Sequence, residues 1–541
     1  MNTNAKGVTE DLIEAARDVI RQQDIAQQGK NIDKSNPKVQ LMVTSTYDEA
    51  RSASRKIMAT ANASGSTTLV IPVGGDGTLT AMINLLWEEH RSISIGQQIE
   101  QSPVINGDGN DDINNNKNGN NDSESSSSFP IVFGYVAMGT GNALGSVVGC
   151  LPVTPNQRKH GRKRRKIIRF MRKCFRPQIT KREDFRLVLS QLIEAAAQKN
   201  TEPKAKGKYD VREISLAPIP EPIEVDVVDL PMIRVRTTQA PTDGQTTNGI
   251  MPNGKSEETQ NDRYAFFAGV GYDSLLLQDY KDLQDWTATK TKSRQRGLWQ
   301  VVTTGVVGYT VAMVTKSLPK LLKLEDASRL LRDVKITTNN PGSAYWIDHR
   351  RGDAMRPVVA TTHDAWDKEE KENNDYHDES TLLYRGSAGI VATGTVPYYG
   401  GGLRLFPFAR MTPCGMNLRV CREIHPLEGV SRIPSIFEGS FRDKSTSKFQ
   451  CLDFVGHQFT VEIYESCKYN DGMFSTSQET EEGFPVQHSG ESMGRCTRVE
   501  FTVSSEEEVD HSCDSMPPQM RFVTLMPPRV AEERSSMNLH P

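Results

Sequence analysis

A carboxylate and a hydroxyl set among glycines form the most chemically loaded stretch of this chain, Gly74-Gly75-Asp76-Gly77-Thr78. Glycines at these positions remove the Cβ atoms that would hold backbone N–H groups away from an anion, so the turn can close around phosphate. Asp76 would repel phosphate oxygens unless a divalent cation sat between them, and magnesium suits a site that mixes carboxylate and phosphate ligands. A second turn, Gly139-Thr140-Gly141-Asn142, repeats the pattern further along the chain. Either turn alone is compatible with an ordinary strand-to-helix connection, whereas the two together can grip one nucleotide.

The flanking residues supply the elements that would position these turns. Thr68 to Val73 is apolar and rich in β-branched residues, and Leu79 to Trp87 then has helical apolar spacing, so the first turn meets a helix N-terminus with its partial positive charge. Ile131 to Met138 reads as a strand and Ala143 to Val148 as helix-compatible. Helices are also expected over Thr9 to Gln22 and Tyr47 to Ala63. Beyond residue 210 the pattern changes to strands: Pro231 to Thr237, Tyr264 to Val270, Ala388 to Gly394, Asn417 to Glu423, Gln458 to Tyr464 and Thr497 to Ser504. The fold class expected is α/β, with an N-terminal three-layer α/β nucleotide-binding domain and a mainly antiparallel β domain.

GGDGT followed by GTGN resembles the signature of the diacylglycerol kinase and sphingosine kinase catalytic-domain family. Other segments agree in order. Phe267 to Asp273 resembles the family's AGxGxD segment, and Pro397 to Leu405 resembles PYxGGGxR. Phe484 to Glu491 resembles the segment ending in DGE, and Phe522 to Pro527 the closing strand. The loop around Asn4 resembles the asparagine-bearing loop after the family's first strand, while the strand itself is missing from its expected place before Met1, as in a truncated record.

The resemblance implies an ATP-dependent lipid kinase that phosphorylates the hydroxyl of a neutral lipid, with diacylglycerol as the leading substrate and ATP and Mg2+ required. Glu491 takes the family's role of catalytic base, and Asp76 that of metal ligand. Asn4, Gly74, Gly75, Asp76, Gly77, Thr78, Asn84, Gly139, Thr140, Gly141 and Asn142 become the expected nucleotide-binding set. The implied map is a catalytic domain over 1–156, a basic insertion over 157–210, a lipid-binding β domain over 211–520, and a closing strand over 521–530 that returns to the first domain. Ser489 and Cys414 stand where the family often has the aspartates of its two DG pairs, and Ala81 and Ala137 replace a frequent glutamate and proline. A sphingoid base or ceramide kinase, a NAD kinase sharing GGDGT, and a catalytically impaired lipid-binding protein stay open as alternatives.

Length leaves room for several domains in 541 residues, but 106–128, 237–262 and 363–380 are too polar to join a core and read as disordered inserts. The eight cysteines show neither zinc spacing nor a compact disulfide framework, which points to reduced thiols. No apolar stretch in Met1 to Ile20 suits secretion; Leu298 to Thr315 is marginal in length and hydrophobicity for a membrane span, and the resemblance implies a packed helix of the lipid-binding domain there. A net charge of −3 identifies no partner, but eleven Lys or Arg residues fall between Arg158 and Arg176, interleaved with apolar side chains. Such a segment can gain about 1 kcal/mol per cation at an anionic membrane surface. The expectation is a cytoplasmic protein associated peripherally with membrane, with no nucleic-acid partner.

Overall fold

A computed structural model describes residues 1, 8–28, 39–65, 67–101, 129–138, 144–148, 182–199, 224–238, 260–290, 308, 311–317, 332–358, 380–399, 403–409, 411–412, 414–422, 435, 451–464, 483–503 and 519–526. The first part of the chain gives α1 (Glu10–Gln28), α2 (Tyr47–Ser64), β1 (Thr68–Val70), β2 (Val73–Gly74), α3 (Asp76–Gln101), β3 (Ile131–Gly134), β4 (Val136–Ala137), α4 (Gly145–Val148) and α5 (Arg182–Lys199). Local chemistry sets the ends of α2. Thr46 accepts a hydrogen bond from the Glu49 backbone N–H at 3.2 Å, the Glu49 carboxylate accepts one back from Thr46 N, and Gly65 closes the helix with φ +61°. Helix α1 runs past its expected end at Gln22 because no helix breaker follows until Gly29.

These helices share one apolar core with a four-stranded sheet ordered β1, β3, β20 and β5, where β5 is Glu224–Pro231 and β20 is Gln519–Met526. β1 and β20 both pair parallel with β3, while β5 runs antiparallel to β20. Thus Glu224–Pro231, which lies inside the stretch assigned from sequence to the second domain, adds to the first sheet. The chain then passes through fully buried Met232 into β6 (Ile233–Thr238) and leaves that sheet. On the outer side of β1 no strand pairs among the described residues, and a cavity of about 900 Å³ runs along that edge, lined by Met1, Leu41, Leu69, Ile71 and Phe185 among others.

The second part is a two-sheet sandwich in which every pairing is antiparallel. One sheet holds β6, β7 (Gln260–Ala265), β9 (Arg332–Thr338), β12 (Thr381–Ala388), β16 (Gln458–Tyr464) and β19 (Arg498–Thr502). The other holds β8 (Phe267–Gly271), β10 (Tyr345–Asp348), β11 (Ala354–Pro357), β13 (Ile390–Gly394), β14 (Met416–Cys421), β15 (Cys451–Gly456), β17 (Phe484–His488) and β18 (Glu491–Cys496). Between them lies a core that includes Val235, Val270, Ile336, Leu418, Phe459 and Phe501. Arg419 is buried within the second sheet and clamps Asp453 with two bonds of 2.8 and 2.9 Å, while His349 Nε2 lies 2.9 Å from the same carboxylate. Pairing with Arg419 and His349 holds the Asp453 carboxyl well below the usual range against the burial that would raise it.

Several expectations about strands need correction: Thr68 to Val73 divides into β1 and β2, Ile131 to Met138 into β3 and β4, and Pro231 to Thr237 is cut at Met232 between β5 and β6, the members of each pair serving different sheets. Tyr264 to Val270, read as one strand, bends at Phe266, so that β7 serves one sheet and β8 the other. The stretch 237–262, read as a disordered insert, has paired ends: Thr237 and Thr238 lie opposite Asn261 and Gln260. The physical reason is Asp262, whose carboxylate holds Arg234 at 3.0 Å and Arg236 at 3.1 Å across the ladder. Residues 106–128, 239–259 and 363–379 lie outside the described residues, as do 158–176 and most of 298–315. Among the described residues no helix is long and apolar enough to cross a membrane.

Candidate functional site

Asp76 opens α3 directly after the strand β2, which places the glycine turn at the N-terminal end of a helix. Its carboxylate is 6 % exposed, and Oδ1 accepts from Leu144 N at 3.3 Å with the Tyr135 hydroxyl at 3.2 Å. The same hydroxyl is 3.2 Å from Gly74 O. Leu144 immediately precedes α4, so Asp76 ties the start of α3 to the start of α4. Gly139, Thr140, Gly141, Asn142 and Asn4 themselves lie outside the described residues.

Glu491 reaches this turn from the opposite end of the chain. A Cβ built on Gly77 would stand 3.0 Å from Glu491 Oε1, closer than nearly all real contacts of a Cβ, so this glycine admits the carboxylate. Glu491 is borne by a tight hairpin in which β17 and β18 are joined through Ser489 (φ +46°) and Gly490 (φ +84°). Two consecutive left-handed residues are what a type I′ turn demands. Asp-Gly is a favoured pair for such a turn, which gives the family's DG residues a backbone role and places Ser489 in a conformation that serine adopts reluctantly. Cys414 repeats the case with φ +51° immediately before Gly415.

Residues not singled out from sequence hold the hairpin. Gln487 Oε1 accepts from Gly490 N at 3.0 Å, and Gln487 Nε2 donates to Asp273 Oδ2 at 3.3 Å, where the Tyr399 hydroxyl also donates. Burial pushes the Asp273 carboxyl up, and its hydrogen bonds from Tyr399 and Gln487 oppose that shift. Ser489 N donates to Phe267 O at 2.9 Å. Their signal was present in the sequence, since Asp273, Tyr399 and Gln487 lie within the three segments Phe267 to Asp273, Pro397 to Leu405 and Phe484 to Glu491. Lys281 Nζ stands 3.8 Å from Glu491 Oε2, with both side chains more than a third exposed, a separation and exposure at which an ion pair contributes little.

The arrangement does not bring every expected residue to the phosphate turn. Asn84 donates from Nδ2 to Thr80 O at 2.9 Å and to Tyr264 O at 2.8 Å, and its Oδ1 accepts from Tyr264 N at 2.9 Å. Its amide therefore fastens α3 to β7. Gly74, Gly75, Gly77 and Thr78 do surround Asp76 at the start of α3. Among the described residues no group of three or more His, Cys, Asp or Glu side chains is placed to hold a metal. A single carboxylate beside a glycine turn at a helix N-terminus fits magnesium, which keeps much of its coordination for water and phosphate oxygens.

Residues 21–162 match the family model of the diacylglycerol kinase catalytic domain. The resemblance read from GGDGT and GTGN is borne out over that stretch. No curated protein matches the chain. Two solved structures from Bacillus anthracis str. Sterne are similar over most of their length. One, described as a "putative diacylglycerol kinase", has 11% identity and a TM-score of 0.40, covering 97% of this chain and 94% of that one. The other, described as a diacylglycerol kinase, has 10% identity and a TM-score of 0.36, covering 98% and 96%. The diacylglycerol kinase catalytic match includes Asp76 and Asn84 but ends far before Glu491, which joins the site only through the fold.

Proposed function

We propose that this chain is an ATP-dependent lipid kinase that phosphorylates the hydroxyl of a neutral lipid, with diacylglycerol as its leading substrate. The observation that carries the reading is the meeting of Glu491 with the glycine turn at Gly77. A base is needed where phosphate is held, and two segments far apart in sequence supply both. The backbone of Gly74 to Thr78 and the start of α3 would hold the nucleotide's phosphates. Asp76 would hold Mg2+ beside them, and that ion supplies neutralisation of the charge on the transferred group. Glu491, more than half exposed in its side chain, takes the proton from the acceptor hydroxyl and can release it to water. The basic segment Arg158 to Arg176 supports docking on an anionic membrane surface, where the substrate resides.

Transfer of labelled phosphate from ATP with magnesium tests this reading. Mixed micelles of diacylglycerol, monoacylglycerol, sphingosine or ceramide serve as acceptors, NAD as a soluble control and Asp76→Asn as the blank. Labelled phosphatidic acid, absent from the blank, is the expected product. A labelled sphingoid or NAD product would move the assignment to that substrate, and nucleotide binding without any product would make the chain a binding protein.

A further inference from the structure

Gln487 is buried at a point where three stretches of chain meet. Its own strand, β17, runs into the turn that carries Glu491. Asp273 lies in the first turn of a helix, α6 (Tyr272–Lys290), which follows β8 directly. Tyr399 comes from the segment Pro397 to Leu405, where its backbone N–H donates to Leu403 O at 2.7 Å and its ring packs against Phe267 and Phe406. A Cβ built on Gly269 would collide with Asp273 Oδ2, so that glycine leaves the space in which the carboxylate meets the Gln487 amide.

The chemistry of these partners leaves the amide one orientation. An ionised carboxylate only accepts hydrogen bonds, and a peptide N–H only donates. Asp273 Oδ2 therefore takes the amino group of Gln487 at 3.3 Å, and Gly490 N takes the amide oxygen at 3.0 Å. The amino group also donates to the Tyr399 oxygen, whose own proton goes to Asp273. Turned over, the amide would set its oxygen against a carboxylate and its amino group against an N–H. The two central N–H groups of the turn are thus both held, Ser489 by Phe267 O and Gly490 by the Gln487 side chain. Farther along α6, Lys281 Nζ stands 3.8 Å from Glu491 Oε2, so the helix that begins at the amide's anchor also reaches the carboxylate.

We infer that Gln487 is a positioning residue for phosphoryl transfer: it fixes Gly490, and with it the adjacent Glu491, at the place beside Gly77 from which the carboxylate takes the acceptor's proton. Asp273 and Tyr399 serve by keeping the amide turned the right way. The inference rests on the kinase reading above and states what sets its base. A side chain that merely stabilised the sheet would lower stability whatever stood at position 491. One that acts through Glu491 lowers the rate only while that carboxylate is present, and a displacement of about 1 Å can cost up to about 10²-fold in rate.

The test is a double-mutant cycle on the full chain, with ATP, magnesium and diacylglycerol in mixed micelles. Gln487→Leu should lower kcat by about 10- to 10²-fold and leave the KM for ATP within about twofold of wild type. In a Glu491→Gln background the same replacement should change the residual rate by less than about twofold, while its effect on the unfolding midpoint persists. If Gln487→Leu does not fold, Gln487→Asn takes its place in the cycle, being one methylene too short to reach Gly490 N and Asp273 together. An unchanged kcat in the folded variant, or an equal loss with and without Glu491, overturns the inference and leaves the kinase assignment standing. If wild type transfers no phosphate to the lipid, both fall together.

Discussion

The two carboxylates of the site are held in opposite ways. Asp76 is 6 % exposed, begins a helix, and accepts hydrogen bonds from Leu144 N and the Tyr135 hydroxyl. Glu491 stands beside the turn of a hairpin with 54% of its side chain exposed and Lys281 Nζ 3.8 Å from its carboxylate. A group fixed by its neighbours can position charge but trades protons poorly, whereas an exposed one can collect a proton and pass it to water. The contrast supports the proposed division of roles, with Asp76 positioning charge and Glu491 moving the proton, on physical grounds that neither sequence motif contains.

Removing the buried member should have the largest effect, because it strikes both structure and turnover. Asp76→Ala is expected to abolish phosphoryl transfer and to lower stability by about 1–3 kcal/mol, since Leu144 N loses its acceptor, and a denaturant titration beside the activity assay would read both. Glu491→Gln sharpens the contrast from the other side: kcat should fall by about 10²- to 10⁴-fold while the unfolding midpoint and ATP affinity stay put. Were Glu491→Gln to unfold the protein as readily as Asp76→Ala, the two carboxylates would not differ in kind. Gly77→Ala touches only their meeting point. The added methyl should push Glu491 aside and lower kcat roughly tenfold, with little further loss in a Glu491→Gln background, a double-mutant cycle that isolates the contact. The smallest effect is expected from Ser489→Asn, which replaces serine by a residue more at ease at φ +46° and should raise stability by about 1 kcal/mol or less, visible as a small rise in Tm.

How much of this could be read from sequence depended on the range of the interactions involved. The Asp76 turn was legible because strand, glycines and helix are consecutive, and Gln458 to Tyr464 was found at its observed ends because its turn residues and alternating pattern are local. Glu491 was legible only through resemblance, since one glutamate among many carries no local mark. The bend at Phe266 was missed because Tyr264 to Val270 is uniformly apolar on both sides of it, and only the two sheets that it feeds reveal the break. Asn84 entered the expected nucleotide-binding set through the resemblance, and its grip on Tyr264, 180 residues away, left no local mark in the sequence. The meaning of the DG positions emerged from dihedral angles, which substitution patterns at Ser489 and Cys414 suggest only once the turn is seen.

The bend at Phe266 also acts as a gauge. Asn84, on the helix that Asp76 begins, grips Tyr264, and the turn that carries Glu491 hangs from Phe267 through Ser489. The separation of the two carboxylates is thus measured out along four consecutive residues of one chain segment. Sequence between 239 and 259 enters this segment at Gln260, four residues short of Tyr264. Lengthening or shortening that stretch leaves the gauge untouched, so the chain can vary widely in size without changing the gap across which it works.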